Sequence, residues 1–164
     1  MLHVRQLIPP LTLRTPQGRT VHAWDFKQKK NLVIAFLDVS CPMCEVFAQT
    51  LASHAADLRE KEAAALLVFA GTRSPSLRDS PVPEIISGSD IGGQGIGMFL
   101  GEDAASERGL SRRGVFVTDR YGEISAEWVV GEHEFPRIEE ILSSLNLVEI
   151  ACEECSVPDW PVDD

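Results

Sequence analysis

Two unbroken apolar runs set the frame of this chain. Residues 32–37 read Leu32-Val33-Ile34-Ala35-Phe36-Leu37, and residues 65–70 read Ala65-Leu66-Leu67-Val68-Phe69-Ala70. Neither alternates with polar residues. A strand with one wet face alternates, whereas a strand covered on both faces of a parallel sheet does not. Between the runs, Phe47, Leu51, Ala55 and Leu58 recur at helical spacing, and Glu60, Lys61 and Glu62 mark an exposed end. Strand, helix, strand is a βαβ unit, for which a right-handed crossover is expected.

Cys41-Pro42-Met43-Cys44 stands where the first run meets the helix. Pro42 suits a first helical turn, because the N–H it lacks has no partner there. A sulfur at a helix N-terminus lies among unpaired backbone N–H groups and at the positive end of the helix dipole. Both favour the thiolate, which is the reactive form. A second sulfur three positions on can close a small disulfide ring with the first. The spacing therefore predicts a reversible dithiol in which Cys41 attacks and Cys44 resolves the mixed disulfide. The plainer alternative is two buried cysteines without chemistry.

The rest of the chain has no repeats. Residues 11–13 and 20–22 flank Pro16-Gln17-Gly18 and read as a hairpin. A basic turn follows at residues 27–30. Residues 73–83, rich in Ser and Pro, read as a surface loop, and residues 84–86 as a short strand. Residues 88–101 hold six glycines and also read as loop. A short helix is expected over residues 103–108. Residues 114–118 and 123–128 flank Asp119-Arg120-Tyr121-Gly122 and predict a β-hairpin. A last helix is expected over residues 134–145, with Ile138, Ile141, Leu142 and Leu145 inward. After Ile150 the chain is acidic and carries Pro158, Trp160 and Pro161, which reads as an irregular extension with Trp160 placed to clamp it to the body.

Composition narrows the function classes. With 164 residues, 44% hydrophobic and 24% charged, the chain suits one soluble globular domain. A net charge of −10 argues against tracking nucleic acid or anionic lipid. No apolar stretch nears the roughly 20 residues of a membrane span, and residues 1–10 hold no secretory h-region, so a cytoplasmic location is expected. In that reducing compartment the four cysteines, Cys41, Cys44, Cys152 and Cys155, are expected to be catalytic or metal-binding more often than structural staples. Cys152-Glu153-Glu154-Cys155 allows three readings: a second redox pair that passes electrons to the first, half of a zinc site, or an inert tail. Zinc knuckles usually pair over about 15–20 residues, and the two CxxC pairs, Cys41/Cys44 and Cys152/Cys155, lie much further apart. No cofactor is expected. Gly92-Gly93-Gln94-Gly95-Ile96-Gly97 lacks the strand-glycine-helix context of a nucleotide loop. His3, His22, His54 and His133 are not paired at metal-ligand spacing, so surface or packing roles are expected. Glu45 reads as a helix-dipole partner, and Trp24 and Trp128 as core or hairpin residues.

The element order and motifs resemble the redoxins, meaning the alkyl hydroperoxide reductase/thiol-specific antioxidant (peroxiredoxin) family and its thioredoxin-like relatives. Pro10-Leu11-Thr12-Leu13 with Gly18 is similar to the family's opening hairpin. The segment from Arg113-Gly114-Val115-Phe116 through Asp119 and Gly122 resembles its Arg-Gly-aromatic-apolar-Asp-x-x-Gly hairpin. Cys155-Ser156-Val157-Pro158-Asp159-Trp160 resembles the segment around the family's resolving cysteine. The resemblance implies that Arg113 lies beside the reacting sulfur, favours a Cys41 thiolate and orients a peroxide oxygen; the alternative is a surface arginine beside Arg112. The family's Pro-x-x-x-Thr/Ser-x-x-Cys is not kept: Ile34 and Asp38 stand at the proline and threonine positions, and Ser40 replaces the Trp that precedes CxxC in thioredoxins. Asp38 is either a proton acceptor for Cys44 or a strand-end carboxylate facing water.

These readings together predict an α/β thioredoxin-like fold, a central mixed β-sheet flanked by helices, with an N-terminal β-hairpin. Residues 1–148 form the domain and residues 149–164 an acidic tail. The expected activity is thiol-disulfide exchange, with a thioredoxin-like electron donor or a protein disulfide as partner. The alternatives are a thiol peroxidase acting on hydrogen peroxide or organic hydroperoxides, and a non-catalytic binding protein with structural zinc. A homodimer is compatible with each.

Overall fold

The computed structural model describes residues 1–38, 41–70, 82–106, 109–130 and 134–155, with the last five given by their backbone alone. A hairpin of β1 (Thr12–Arg14) and β2 (Thr20–His22) leads through one 3-10 turn to β3 (Asn31–Asp38). Then come α1 (Pro42–Ser53), α2 (Ala55–Glu60), β4 (Ala63–Ala70), β5 (Ile85–Asp90) and α3 (Gln94–Leu100). The last elements among the described residues are β6 (Ala105–Ser106), β7 (Gly109–Leu110), β8 (Arg113–Thr118), β9 (Ile124–Val130) and α4 (Ile138–Cys155). One seven-stranded sheet has the order β2-β1-β5-β4-β3-β8-β9. β3, β4 and β5 run parallel to their neighbours in that trio, and β8 pairs antiparallel with both β3 and β9. This is the mixed sheet with an N-terminal hairpin expected from the sequence.

The apolar runs explain the layering. All eight residues of β3 and all eight of β4 are buried. Val33, Ala35 and Leu37 face α1 and α4, where they meet Phe47, Leu51, Ile141 and Leu145. Ile34 and Phe36 face the other way, onto Leu11, Leu13, Phe99 and Phe116. On that second face three rings close on one another: Phe36 and Phe99 lie 4.8 Å apart, Phe99 and Phe116 5.2 Å, and Phe36 and Phe116 6.0 Å. Offset and edge-on packing of this kind adds to plain burial. Phe36→Ala should therefore lower the unfolding free energy by about 3–5 kcal/mol, read from urea melts.

Four local readings change. Residues 94–100 form a helix where glycines suggest loop. Tertiary contacts override the weak propensity: Ile96, Phe99 and Leu100 are buried, and the Asp90 carboxylate accepts the Ile96 N–H at 2.9 Å. A Cβ at Gly95 would lie 2.4 Å from Leu11 Cδ1, so a larger residue there would have to displace the end of that buried side chain. In place of a helix over 103–108, β6 and β7 form a two-stranded hairpin; residues 107 and 108 lie outside the described residues. The last helix starts later than expected and continues to Cys155, so the backbone is still helical beyond Ile150. Trp24 is 46% exposed and sits outside both cores. No helix among the described residues is long and apolar enough to cross a membrane. The loop expected over residues 73–83 falls mostly outside the described residues.

Candidate active site

Cys41 is the N-cap of α1. Its backbone is extended (φ −98°, ψ 111°) and Pro42 follows at the first helical position. In an ordinary cap a Ser, Thr or Asp oxygen accepts the amide of the third helical residue. Here the Cys41 Sγ does so, accepting the Cys44 N–H at 3.1 Å. A donor aimed at the sulfur, at the positive end of a twelve-residue helix, favours negative charge on it. Cys41 is 8% exposed and Cys44 is fully buried among the core residues of α1 and β3. Neither is in a disulfide.

Cys44 is placed differently, deep in the core behind the cap. Burial pushes the Cys44 thiol up to about 12, and the nearby Cys41 adds to the rise. The backbone N–H of Asp38, 3.5 Å from Cys44 Sγ, and the Arg113 guanidinium oppose it. Cys44 is thus a protonated thiol at neutral pH. Linkage gives this a measurable sign. An unfolded cysteine loses its proton near pH 8.5–9, while the native one holds it to about pH 12. In that window the native state binds more protons, so stability falls as pH rises, by about 1.4 kcal/mol per pH unit. Urea melts of the reduced protein at pH 8 and pH 10 should show this loss, and Cys44→Ala should show a smaller one.

Arg113 opens β8, next to β3, and is 6% exposed. It is not a surface arginine beside Arg112, whose guanidinium instead binds the Leu100 carbonyl at 3.0 Å. Burial works against the Arg113 charge, but Cys44, Cys41 and Asp38 outweigh it and raise its pKa. Its Nη2 lies 3.8 Å from Asp38 Oδ2, while Nε and Nη1 are buried without a hydrogen-bond partner among the described residues.

Asp38 ends β3 and is 5% exposed, so it does not face water. Its Oδ2 accepts the Leu110 N–H at 2.9 Å. Gly109 makes that approach possible. Its φ is +108°, and a Cβ there would lie 2.0 Å from Asp38 Oδ2. The group that meets the Cys44 sulfur at 3.5 Å is the backbone N–H of Asp38. The site thus brings Cys41, Cys44, Asp38 and Arg113 together. Gly109 and the Leu110 N–H complete it, and nothing in the sequence around them marks that role. Phe135 carries no sequence signal either; it stacks on Phe47 of α1 with ring centroids 4.8 Å apart.

The tail pair is placed elsewhere. Val148 packs in the core, and Glu149 accepts hydrogen bonds from Asn31 Nδ2 and from Arg120 Nη2. Asn31 is the first residue of β3 and Asp38 the last. The strand between them spans about 23 Å. Cys152 and Cys155 lie in the turn or two of α4 beyond Glu149, so the helix carries them toward the end of the sheet opposite Cys41. Their side chains lie outside what is described. Among the described residues no three His, Cys, Asp or Glu side chains gather as a metal site would require.

Comparison with known proteins locates this architecture. A yeast mitochondrial 1-Cys peroxiredoxin matches over 100% of this chain and 85% of its own, with a TM-score of 0.77 and 14% identity. The 2-Cys peroxiredoxin of Plasmodium vivax matches over 93% and 85%, with a TM-score of 0.73 and 15% identity. A putative thiol:disulfide interchange protein DsbE from Chlorobium tepidum matches over 92% and 99%, with a TM-score of 0.66 and 18% identity. The chain has the thioredoxin-like fold. At such identities the likeness is one of fold. No family model matches the sequence, and a search of curated proteins finds no match either.

Proposed function

We propose that this protein is a thiol-disulfide oxidoreductase in which Cys41 attacks and Cys44 resolves. The observation that carries the reading is the sulfur cap: Cys41 Sγ accepts the Cys44 N–H at the start of α1, with the protonated Cys44 thiol buried behind it. The Cys41 thiolate attacks a substrate disulfide. A Cys41–substrate S–S bond forms, the substrate S–S bond breaks, and the departing thiolate takes a proton from water. Cys44 then loses its proton and attacks Cys41 Sγ, which releases the second substrate thiol. The substrate disulfide is reduced to two thiols and the protein dithiol is oxidised to one disulfide. A thioredoxin-like dithiol donor restores the reduced form. Met43 and Val46, 41% and 52% exposed on α1 beside the cysteines, offer an apolar rim to a protein substrate.

One observation favours a second reading, a thiol peroxidase. The unpartnered Nε and Nη1 of buried Arg113 are donors suited to a peroxide oxygen. There the Cys41 thiolate takes one peroxide oxygen to become a sulfenic acid, the other leaves as water or an alcohol, and Cys44 condenses with the sulfenic acid to a disulfide and water. Asp38 argues for disulfide exchange over this route, because it sets a carboxylate, not a neutral hydroxyl, in the pocket.

Turnover separates the two. With dithiothreitol as reductant, a protein disulfide should be reduced in a Cys41-dependent manner, while hydrogen peroxide is consumed no faster than by a free thiol. Rapid peroxide consumption would replace the first reading by the second. Absence of both, with zinc found by metal analysis, would replace it by a zinc-holding binding protein.

A further inference from the structure

A cleft opens at the end of the sheet opposite Cys41, and nothing in the redox chemistry uses it. Its walls include Leu7, Ile8, Trp24, Phe26, Leu32 and Tyr121. Leu7, Trp24 and Tyr121 remain 63%, 46% and 51% exposed. Exposed apolar and aromatic side chains clustered at one cleft mark a contact surface. Its rim is basic in an otherwise acidic molecule. Lys27, Lys29 and Lys30 are three of the four lysines in the sequence, and Lys27 and Lys30 line the cleft, with Lys27 Nζ 4.6 Å above the Trp24 ring. An aromatic group flanked by carboxylates fits such a surface by shape and by charge.

We propose that the cleft is the docking site of this chain's own acidic tail, residues 156–164, with Trp160 as its anchor. Those residues lie outside the described residues, so the assignment rests on their sequence, on where α4 ends and on the cleft. Ser156-Val157-Pro158-Asp159-Trp160-Pro161-Val162-Asp163-Asp164 holds one tryptophan, three aspartates and no basic residue. Arg120 links the two places. It lines the cleft, and its Nη2 holds Glu149 of α4 at 2.7 Å. From Glu149 the helix runs on for about 9 Å to Cys155. An extended segment from Cys155 to Trp160 spans up to about 17 Å, and one reaching Asp164 about 30 Å. The tail therefore has the length to turn back to the cleft. Seated there, it keeps the Cys152–Cys155 turn at the end of the molecule remote from Cys41.

Zero-length carbodiimide cross-linking tests the docking on the full chain. An equal mixture of unlabelled and nitrogen-15-labelled protein is cross-linked at low concentration and its peptides are mapped by mass spectrometry. Links from Lys27, Lys29 or Lys30 to Asp159, Asp163 or Asp164 within one isotopic chain are expected. Trp160→Ala should reduce their yield at least tenfold while the alkylation rate of Cys41 stays unchanged, which shows that the fold is intact. Three results would each overturn the proposal: no such links, links of which about half join a light to a heavy chain as random pairing between molecules requires, or an undiminished yield in Trp160→Ala.

Discussion

Cys41→Ser should abolish disulfide reduction, lowering turnover by on the order of 10³-fold or more, while leaving the urea midpoint close to that of the parent protein. A serine oxygen caps α1 as well as sulfur does, so the fold keeps its N-cap, but it is not ionised at neutral pH and cannot form the mixed disulfide. Cys44→Ser should behave differently. Its Cys41 still has the cap geometry and attacks once, but the buried partner that releases the substrate is gone. The protein should accumulate as a mixed disulfide with its substrate, visible by mass spectrometry and reversed by dithiothreitol. If Cys44→Ser turned over normally, another thiol would be resolving and the pairing of Cys41 with Cys44 would be wrong.

Gly109→Ala should damage the site without touching a sulfur. Two effects combine. The backbone at φ +108° disfavours any L side chain, and the new Cβ would lie 2.0 Å from Asp38 Oδ2, well inside contact distance. Either the β6–β7 hairpin moves and the Leu110 N–H leaves Asp38, or the carboxylate moves and Arg113 loses its nearest counter-charge. Backbone strain of about 1–2 kcal/mol and a lost hydrogen bond to a charged group of about 1.5–3 kcal/mol place the expected loss near 3–5 kcal/mol. Gly18→Ala is the control. Gly18 has φ +83°, but a Cβ there would meet nothing within 4 Å, so only the strain remains. Urea melts should rank the two, and the Cys41 alkylation rate should fall in Gly109→Ala alone.

The legible parts of this protein are those where one physical demand dominates. The runs over residues 32–37 and 65–70 lack polar residues because both sheet faces are covered, and Pro42 with the two sulfurs marks a helix start by local chemistry alone. The turn at residues 119–122 follows from short-range pattern; its Asp119 carboxylate accepts the Tyr121 and Glu123 N–H groups at 2.8 and 3.0 Å. What the sequence hides depends on distant partners. α3 forms although it is rich in glycine, because the Asp90 carboxylate accepts the Ile96 N–H in its first turn and the Phe36 ring receives Phe99. The surroundings of Asp38 follow from residues 71 to 75 positions away, Gly109, Leu110 and Arg113, which only the folded sheet brings close. The length of α4 follows from Glu149 meeting Asn31 and Arg120, a contact that helical periodicity cannot show.

The most direct test of the central claim is thiol mapping of the reduced full chain. The protein is treated with one equivalent of an oxidised dithiol, alkylated and digested, and each of the four cysteines is followed by mass spectrometry. The site geometry predicts that Cys41 is the first to be alkylated in the untreated protein at pH 7, and that oxidation closes a Cys41–Cys44 disulfide. If Cys44 were alkylated before Cys41, or if Cys41 stayed reduced while another cysteine was oxidised, the assignment of Cys41 as the attacking thiolate would be contradicted.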